Sequence, residues 1–243
     1  MAECAKRGMV VAGVDVARGL FEARAPGDRF PARYMQTDLA DAGNAFAAVL
    51  ACKPDTVVHC AAIPDMTHNP SHEVFQSNVM STFNVIEACL GLGVRRLINI
   101  SSLQVLGIVK SPEEQGRLPQ LSYVPIDEAH PVRPENAYAM SKLVGEQLCD
   151  AAVRREAGFS VVSLRPTWCM DEANIERNLG GHIRDPERRS ETVWSYVCLP
   201  DVADAVLKSV EASDLCGHEV RATEGNRVQS YLCRLDEYWY TLA

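Results

Sequence analysis

Short runs of branched and aromatic residues alternate along this chain with longer stretches in which apolar residues recur every three or four positions. GMVVAGVD (8–15), ARYMQTD (32–38), DTVVHCAA (55–62), RRLINISS (95–102) and FSVVSLRP (159–166) fit strand-length windows, because β-branched side chains pack well on a pleated surface. Between them, SHEVFQSNVMSTFNVIEACL (71–90) steps through Phe75, Val79, Phe83, Ile86 and Leu90 along one helix face, with Gly91 and Gly93 as the stop. A second helix is predicted over 137–157, closed by Gly158. A third lies in LPDVADAVLKSVEAS, with Asp201 near its N-terminus.

Strand and helix in alternation predict parallel strands joined by right-handed crossovers, which is a Rossmann-like, doubly wound α/β sheet. Ligands of such sheets bind beyond the carboxyl ends of the strands. Asp15, Asp38, the Ala61-Ala62 pair, Ser101-Ser102 and Pro166-Thr167 fall at those ends. From about 103 to 134 proline and charge accumulate, predicting a long loop that leads into the helix at 137. After 166 the pattern weakens until the helix that begins near Leu199. We expect a dinucleotide-binding unit over 1–166 and a small substrate-binding region over 167–243.

Composition narrows the function classes. The net charge is −8, with no run of Lys and Arg, which argues against a nucleic-acid surface. The first residues lack the apolar stretch of a signal peptide, and no window approaches the roughly 20 apolar residues that span a bilayer. A cytoplasmic protein with no membrane partner is expected. The nine cysteines are scattered with no C-x-x-C, and we expect reduced thiols, mostly in the core. A metal site would start from His59, Cys60, His68 and His72, but Pro70 interrupts the His68 to His72 spacing and no further ligand stands at a suitable distance. No metal is expected.

The segment NAYAMSK (136–142) carries the chemistry. Oxidising an alcohol by hydride transfer needs a base for the hydroxyl proton. A tyrosine, with an ordinary pKa of about 10, is a poor base at neutral pH unless a nearby ammonium favours its phenolate. Lys142, one helical turn after Tyr138, shares its face and is expected to supply that charge. Ser102, at a strand end facing the same crevice, can hold the substrate oxygen.

The strings SSLQVLG (101–107), NAYAMSKLVGEQL (136–148) and SLRPTW (163–168) resemble the extended short-chain dehydrogenase/reductase family, in particular its NAD-dependent epimerase/dehydratase branch. TDLAD (37–41), VVHCAAIP (57–64), SNVMSTFNVIEA (77–88) and VWSYVCLPDVADAV (193–206) resemble further landmarks of that family in the same order, over nearly the whole chain. The resemblance implies that Tyr138 is the acid/base, that Lys142 is its partner and holds the nicotinamide ribose, and that Ser102, five residues before Gly107, orients the substrate. It implies that Asp15 binds the adenosine ribose and favours NAD over NADP, that Asp38 and Leu39 lie against the adenine, and that Cys60, Ala61 and Ala62 border the dinucleotide. Asn78 would stand behind them, with Pro166 and Thr167 beside the nicotinamide. It also implies a homodimer built from the helices at 71–90 and 137–157.

The sequence departs from the family at its front. The glycine-rich turn of a dinucleotide fold stands roughly 20 residues before the acidic residue that holds the ribose. Counting back from Asp15 runs past Met1, and AECAKRG resembles the last turns of the first helix. The first strand, the glycine turn and the front of that helix are therefore expected to be missing. That would leave the strands at 8–15 and 55–62 either with unpaired edges or paired to each other. Smaller departures are Leu106 where the family usually has tyrosine and Cys198 where it has histidine or aspartate.

Two functions follow. The first is an NAD-dependent oxidoreductase acting on a hydroxyl of a sugar or sugar derivative, with a small sugar or sugar acid favoured over a nucleotide sugar because only a short stretch follows Pro166. The second is a catalytically inactive, truncated relative that binds a partner or senses a metabolite.

Overall fold

The computed structural model describes residues 2–17, 33–64, 68–108, 121–171 and 196–223. The centre of the loop expected at 103–134 and the tail from residue 224, Cys233 included, lie outside the described residues. In chain order the elements are α1 (Ala2–Lys6), β1 (Ala12–Asp15), β2 (Arg33–Gln36), α2 (Ala42–Cys52), β3 (Thr56–His59), α3 (Ser71–Gly91) and β4 (Arg96–Ile100). A 3₁₀ turn (Leu103–Leu106) follows, then α4 (Ala137–Arg155), β5 (Ser160–Pro166), β6 (Trp168–Met170), β7 (Tyr196–Cys198), α5 (Leu199–Glu211) and β8 (His218–Thr223).

Every strand pair is parallel, as the alternation predicts. The main sheet runs β3-β4-β5-β8, and its two faces are separated by the period of two along each strand. Leu97 and Val161 turn to one side and pack with Val85, Ile86 and Cys89 of α3 and Cys149 and Ala152 of α4. Their neighbours Ile98 and Val162 turn to the other side and pack against Ala205, Val206 and Val210 of α5. Each such side chain taken from water contributes about 1.5–3 kcal/mol before chain entropy is set against it. His218 ties the far edge of the sheet to α4, with Nδ1 2.6 Å from Asp150 Oδ1 and Nε2 2.8 Å from Ser163 Oγ.

β1 and β2 form a separate two-stranded sheet. In the doubly wound order 3-2-1-4-5-6 a further strand stands between the positions that β1 and β3 take. Among the described residues β1 and β3 share no ladder, so of the two arrangements expected, direct pairing is not adopted. The β2 to α2 turn is instead held from below: Asn84 of α3 donates from Nδ2 to the carbonyls of Leu39 (3.1 Å) and Ala40 (2.8 Å).

Two expectations need correcting. On α3, Ile86 of the expected stripe is buried in the core and Leu90 packs against it, but Phe75 and Phe83 are exposed and Val79 half-buried, while Val74, Asn78, Ser81, Val85 and Cys89 are buried. The buried positions of α3 are held by small and branched residues, and the two phenylalanines turn away from them. Of the eight described cysteines only Cys89 and Cys149 are buried, so the thiols are not mostly in the core. Burial pushes both of those thiols up to about 12, where they are inert.

Candidate active site

The crevice at the carboxyl ends of β3, β4 and β5 is built by the start of α4. Asn136 caps that helix, its Oδ1 accepting the Ala139 N–H at 2.7 Å, and so fixes where Tyr138 emerges in the first turn. Ser102, two residues beyond β4, lies beside the Tyr138 phenol, close enough for its hydroxyl to lower the phenol pKa. Ser102 Oγ accepts the Gln104 N–H at 3.2 Å, which leaves its hydroxyl hydrogen free to donate. The turn that follows comes close to the strand of chain leading into α4. Arg133 donates its N–H to the Val105 carbonyl at 2.8 Å, and Gly107 adopts φ 75° with its Cα so near Arg133 that a Cβ would meet the Arg133 carbonyl at 2.4 Å. Only glycine fits there.

Lys142 is 8% exposed, and its Nζ donates to the Ile100 carbonyl at 2.7 Å while lying 5.6 Å from the Tyr138 ring centroid. Burial lowers its pKa to about 8 and Cys60 raises it in part, which places Cys60 near the Lys142 side chain. The expectation that Lys142 depresses the Tyr138 pKa is not what the structure gives. Burial raises it, Ser102 lowers it, and Cys169 raises it again, with a net shift upward. The sequence could not register the burial of the phenol, which outweighs the rest.

Asn78 organises the end of β3. Its Oδ1 accepts the Ile63 N–H at 2.7 Å, and its Nδ2 donates to the Ile63 carbonyl and to Ser141 Oγ, both at 3.1 Å. The segment Cys60, Ala61, Ala62 that precedes Ile63 is thereby pinned to α3 and α4 together. Pro166 closes β5 beside Thr223, and Thr167 Oγ1 accepts the Trp168 N–H at 2.5 Å. Asp15 ends β1, with Oδ1 accepting the Ala17 N–H at 2.9 Å, and Asp38 does the same for Ala40 at 2.9 Å. The structure thus brings Ser102, Tyr138, Lys142, Cys60 and Asn78 together, while Asp15, Asp38 and Leu39 belong to the β1-β2 part.

Sequence reasoning missed three features. His59 lies beneath the site, 3% exposed, with Nε2 3.1 Å from Thr82 Oγ1. Because Thr82 Oγ1 donates its hydrogen to the Asn78 carbonyl at 2.8 Å, it accepts from the ring, which fixes the Nε2–H tautomer. Burial and the Lys142 charge lower the His59 pKa to about 3, so the ring is neutral. Cys169 on β6 acts on Tyr138 and carried no signal beyond its place after Thr167. Glu146, two turns after Tyr138 on the same face of α4, was readable from its spacing alone.

A dinucleotide fits part of this framework. Asp15 at a strand end offers a carboxylate to a ribose diol, and Lys142 offers a buried ammonium to a second ribose. Among the described residues no glycine-rich turn faces the place a pyrophosphate would take.

The chain matches the NAD dependent epimerase/dehydratase family over residues 1–178. It is 32% identical over 145 residues to the uronate dehydrogenase of Agrobacterium fabrum, covering 60% of this chain and 49% of that one. It is 28% identical over 170 residues to the L-arabinose 1-dehydrogenase (NAD(P)(+)) of Haloferax volcanii, covering 65% of this chain and 61% of that one. The chain spans about half the length of the curated relatives it matches. Among solved structures, the Bordetella bronchiseptica enzyme WbmH in complex with NAD+ superposes with a TM-score of 0.68 at 21% identity, over 92% of this chain and 70% of that one. The UDP-glucose 4-epimerase of Bifidobacterium longum in complex with NAD+ and UDP gives the same TM-score at 18% identity, over 91% and 72%. At these identities the structures show a shared fold.

Proposed function

Because the chain belongs to the NAD-dependent epimerase/dehydratase family, we propose that it is an NAD-dependent oxidoreductase acting on a hydroxyl of a sugar or sugar acid. The observation that carries this reading is the buried Lys142 ammonium over the Tyr138 ring, with Ser102 beside the phenol. Bound NAD would supply the hydride acceptor. Tyr138 takes the hydroxyl proton and Ser102 holds the same oxygen. Lys142 and Asp15 hold the two riboses, with Asp38 and Leu39 at the adenine. Cys60, Ala61, Ala62, Pro166 and Thr167 line the path between, and Asn78 holds it in place. The uronate and arabinose dehydrogenases among the relatives support a small sugar acid or a pentose, and we assign its recognition to residues 167–243.

The assembly we propose is a homodimer through α3 and α4. Phe75, Met80 and Phe83 of α3 and Met140 of α4 are exposed large apolar residues on those helices, a surface that pairing with a second copy would cover. No helix among the described residues is long and apolar enough to cross a membrane, and we place the enzyme in the cytoplasm.

The test is formation of NADH, followed by absorbance, when the protein is given NAD with hexuronates and pentoses in turn. Turnover with one of them, abolished in Tyr138→Phe, supports the reading. NAD binding without turnover on any sugar would favour a second reading, a binding or sensing protein. The observation that favours that second reading is the division between β1 and β3, where the phosphate-binding turn of the fold would enter.

A further inference from the structure

Three consecutive residues at the end of β4 each engage one of three residues spaced four apart on α4. The Ile100 carbonyl takes the Lys142 ammonium at 2.7 Å. Ser101 Oγ donates to Glu146 Oε1 at 2.6 Å. Ser102 lies beside the Tyr138 phenol. Tyr138, Lys142 and Glu146 form one stripe of the helix, covering about 12 Å at 1.5 Å per residue. The carboxylate at the far end of that stripe touches neither the crevice nor its two partners, yet it is the most firmly held of the three. Arg165 of β5 donates from Nε to Glu146 Oε1 at 2.8 Å and from Nη2 to Oε2 at 2.7 Å, a bidentate pair in which Glu146 is 3% and Arg165 5% exposed.

A charge pair this deeply buried is a poor stabiliser, because desolvating both ions offsets most of their attraction, and apolar replacements of such pairs are often neutral or better. What the pair does supply is direction. Two parallel hydrogen bonds fix the plane of the carboxylate, and its Oε1 then accepts the Ser101 hydroxyl. Ser101 is fixed on its backbone as well, its N–H donating to the Leu164 carbonyl at 2.7 Å. Ser101 is thus held at both its side chain and its backbone, between Ile100 and Ser102.

We propose that Glu146, oriented by Arg165, is a positioning residue that acts through Ser101 to set the strand end presenting Ser102 to Tyr138 and the Ile100 carbonyl to Lys142. This rests on the reading of Tyr138 and Lys142 as the working pair. The account in which the buried pair only joins α4 to β5 gives Ser101 no part.

Ser101→Ala separates the two accounts, since it leaves the Glu146–Arg165 pair whole and removes only the link to β4. Positioning predicts that Ser101→Ala lowers kcat on the sugar that gives turnover by about 10- to 100-fold, the scale of a misplacement near 1 Å, with the KM for NAD within about twofold. A second readout needs no substrate: in protein labelled at lysine Cε, the Lys142 NMR titration midpoint near 8 moves by about half a unit or more. Glu146→Gln produces the same changes, and the double variant is no worse than the more damaged single, as expected for residues acting in series. If Glu146→Gln does not fold, Ser101→Ala carries the test alone. Unchanged kcat and an unmoved Lys142 midpoint in Ser101→Ala overturn the proposal, as do effects that simply add in the double variant. Should the protein turn over no sugar at all, the proposed function fails while the Lys142 titration still decides the positioning role.

Discussion

Lys142 Nζ lies over the face of the Tyr138 ring, 5.6 Å from its centroid, with one of its three N–H groups donating to the Ile100 carbonyl. The ammonium and the phenol are therefore neighbours in which burial lowers the pKa of one and raises that of the other. Each is pushed toward its neutral form for the same reason, the loss of water.

Removing the phenol hydroxyl with Tyr138→Phe takes away the proton acceptor and leaves the ring. Steady-state assay of NAD reduction is expected to show a loss of about 100-fold or more in kcat, with the melting temperature unchanged. Ser102→Ala, which removes the hydroxyl beside that phenol and its cap on the Gln104 N–H, is expected to cost less, about tenfold to 100-fold. Equal activity in Tyr138→Phe would remove Tyr138 from the mechanism.

Lys142 gives stability a slope in alkali. Its folded pKa of about 8 is below the unfolded value of 10.5, so between these the unfolded chain binds a proton that the folded one does not. Raising the pH through that window therefore favours the folded state. Denaturant unfolding at pH 8 and pH 10 is expected to show a stabilising contribution that Lys142→Met abolishes.

His59 gives a slope in acid by the same rule. With a folded pKa of about 3 against 6.5 unfolded, it costs stability progressively as the pH falls from 6.5 toward 3. His59→Gln, which can still donate to Thr82, is expected to retain more of its neutral-pH stability at pH 4.5 than the parent, measured by thermal melts. A parent and variant that lose stability in parallel would contradict the buried, neutral ring.

Gly107→Ala should damage fold and site together. A methyl group there would meet the Arg133 carbonyl at 2.4 Å, on a backbone at φ 75°. We expect a loss of about 2 kcal/mol or more in unfolding free energy. A fall in kcat should accompany it, because the same contact holds the Ser102 turn against the approach to α4.

The helix surface makes a prediction about assembly. Sedimentation of the protein is expected to give a dimer, and Phe83→Asp, placing a charge on the exposed face of α3, a monomer. A monomeric parent would remove α3 and α4 as a pairing surface.

Much of this architecture was legible because its signals are local. Each of the five strands read from branched runs is present, though β1 and β3 are shorter than their apolar windows. The helices at 71–90 and 137–157 lie within two residues of their predicted ends, since Gly93 and Gly158 take positive φ where the stops were read. AGNAFAAVLAC (42–52) escaped notice because alanine carries no periodic contrast, and β6, β7 and β8 because their pairing, not their composition, makes them strands. Phe75 and Phe83 misled because size suggests burial, while the buried positions of α3 are held by residues such as Asn78, Ser81 and Ile86.

The site divides the same way. Ser102, Tyr138 and Lys142 could be named from spacing and strand ends, and the structure places them together. The direction of the Tyr138 shift, the tautomer of His59 and the Glu146–Arg165 pair were not legible. Each depends on burial or on contacts across elements distant in sequence.

The measurement that tests the central claim most directly is a calorimetric titration of the protein with NAD and NADH, alongside Asp15→Asn and Lys142→Met. The account predicts binding in the micromolar range that both substitutions weaken. The absence of measurable binding to the parent protein, with its fold intact by circular dichroism, would contradict it.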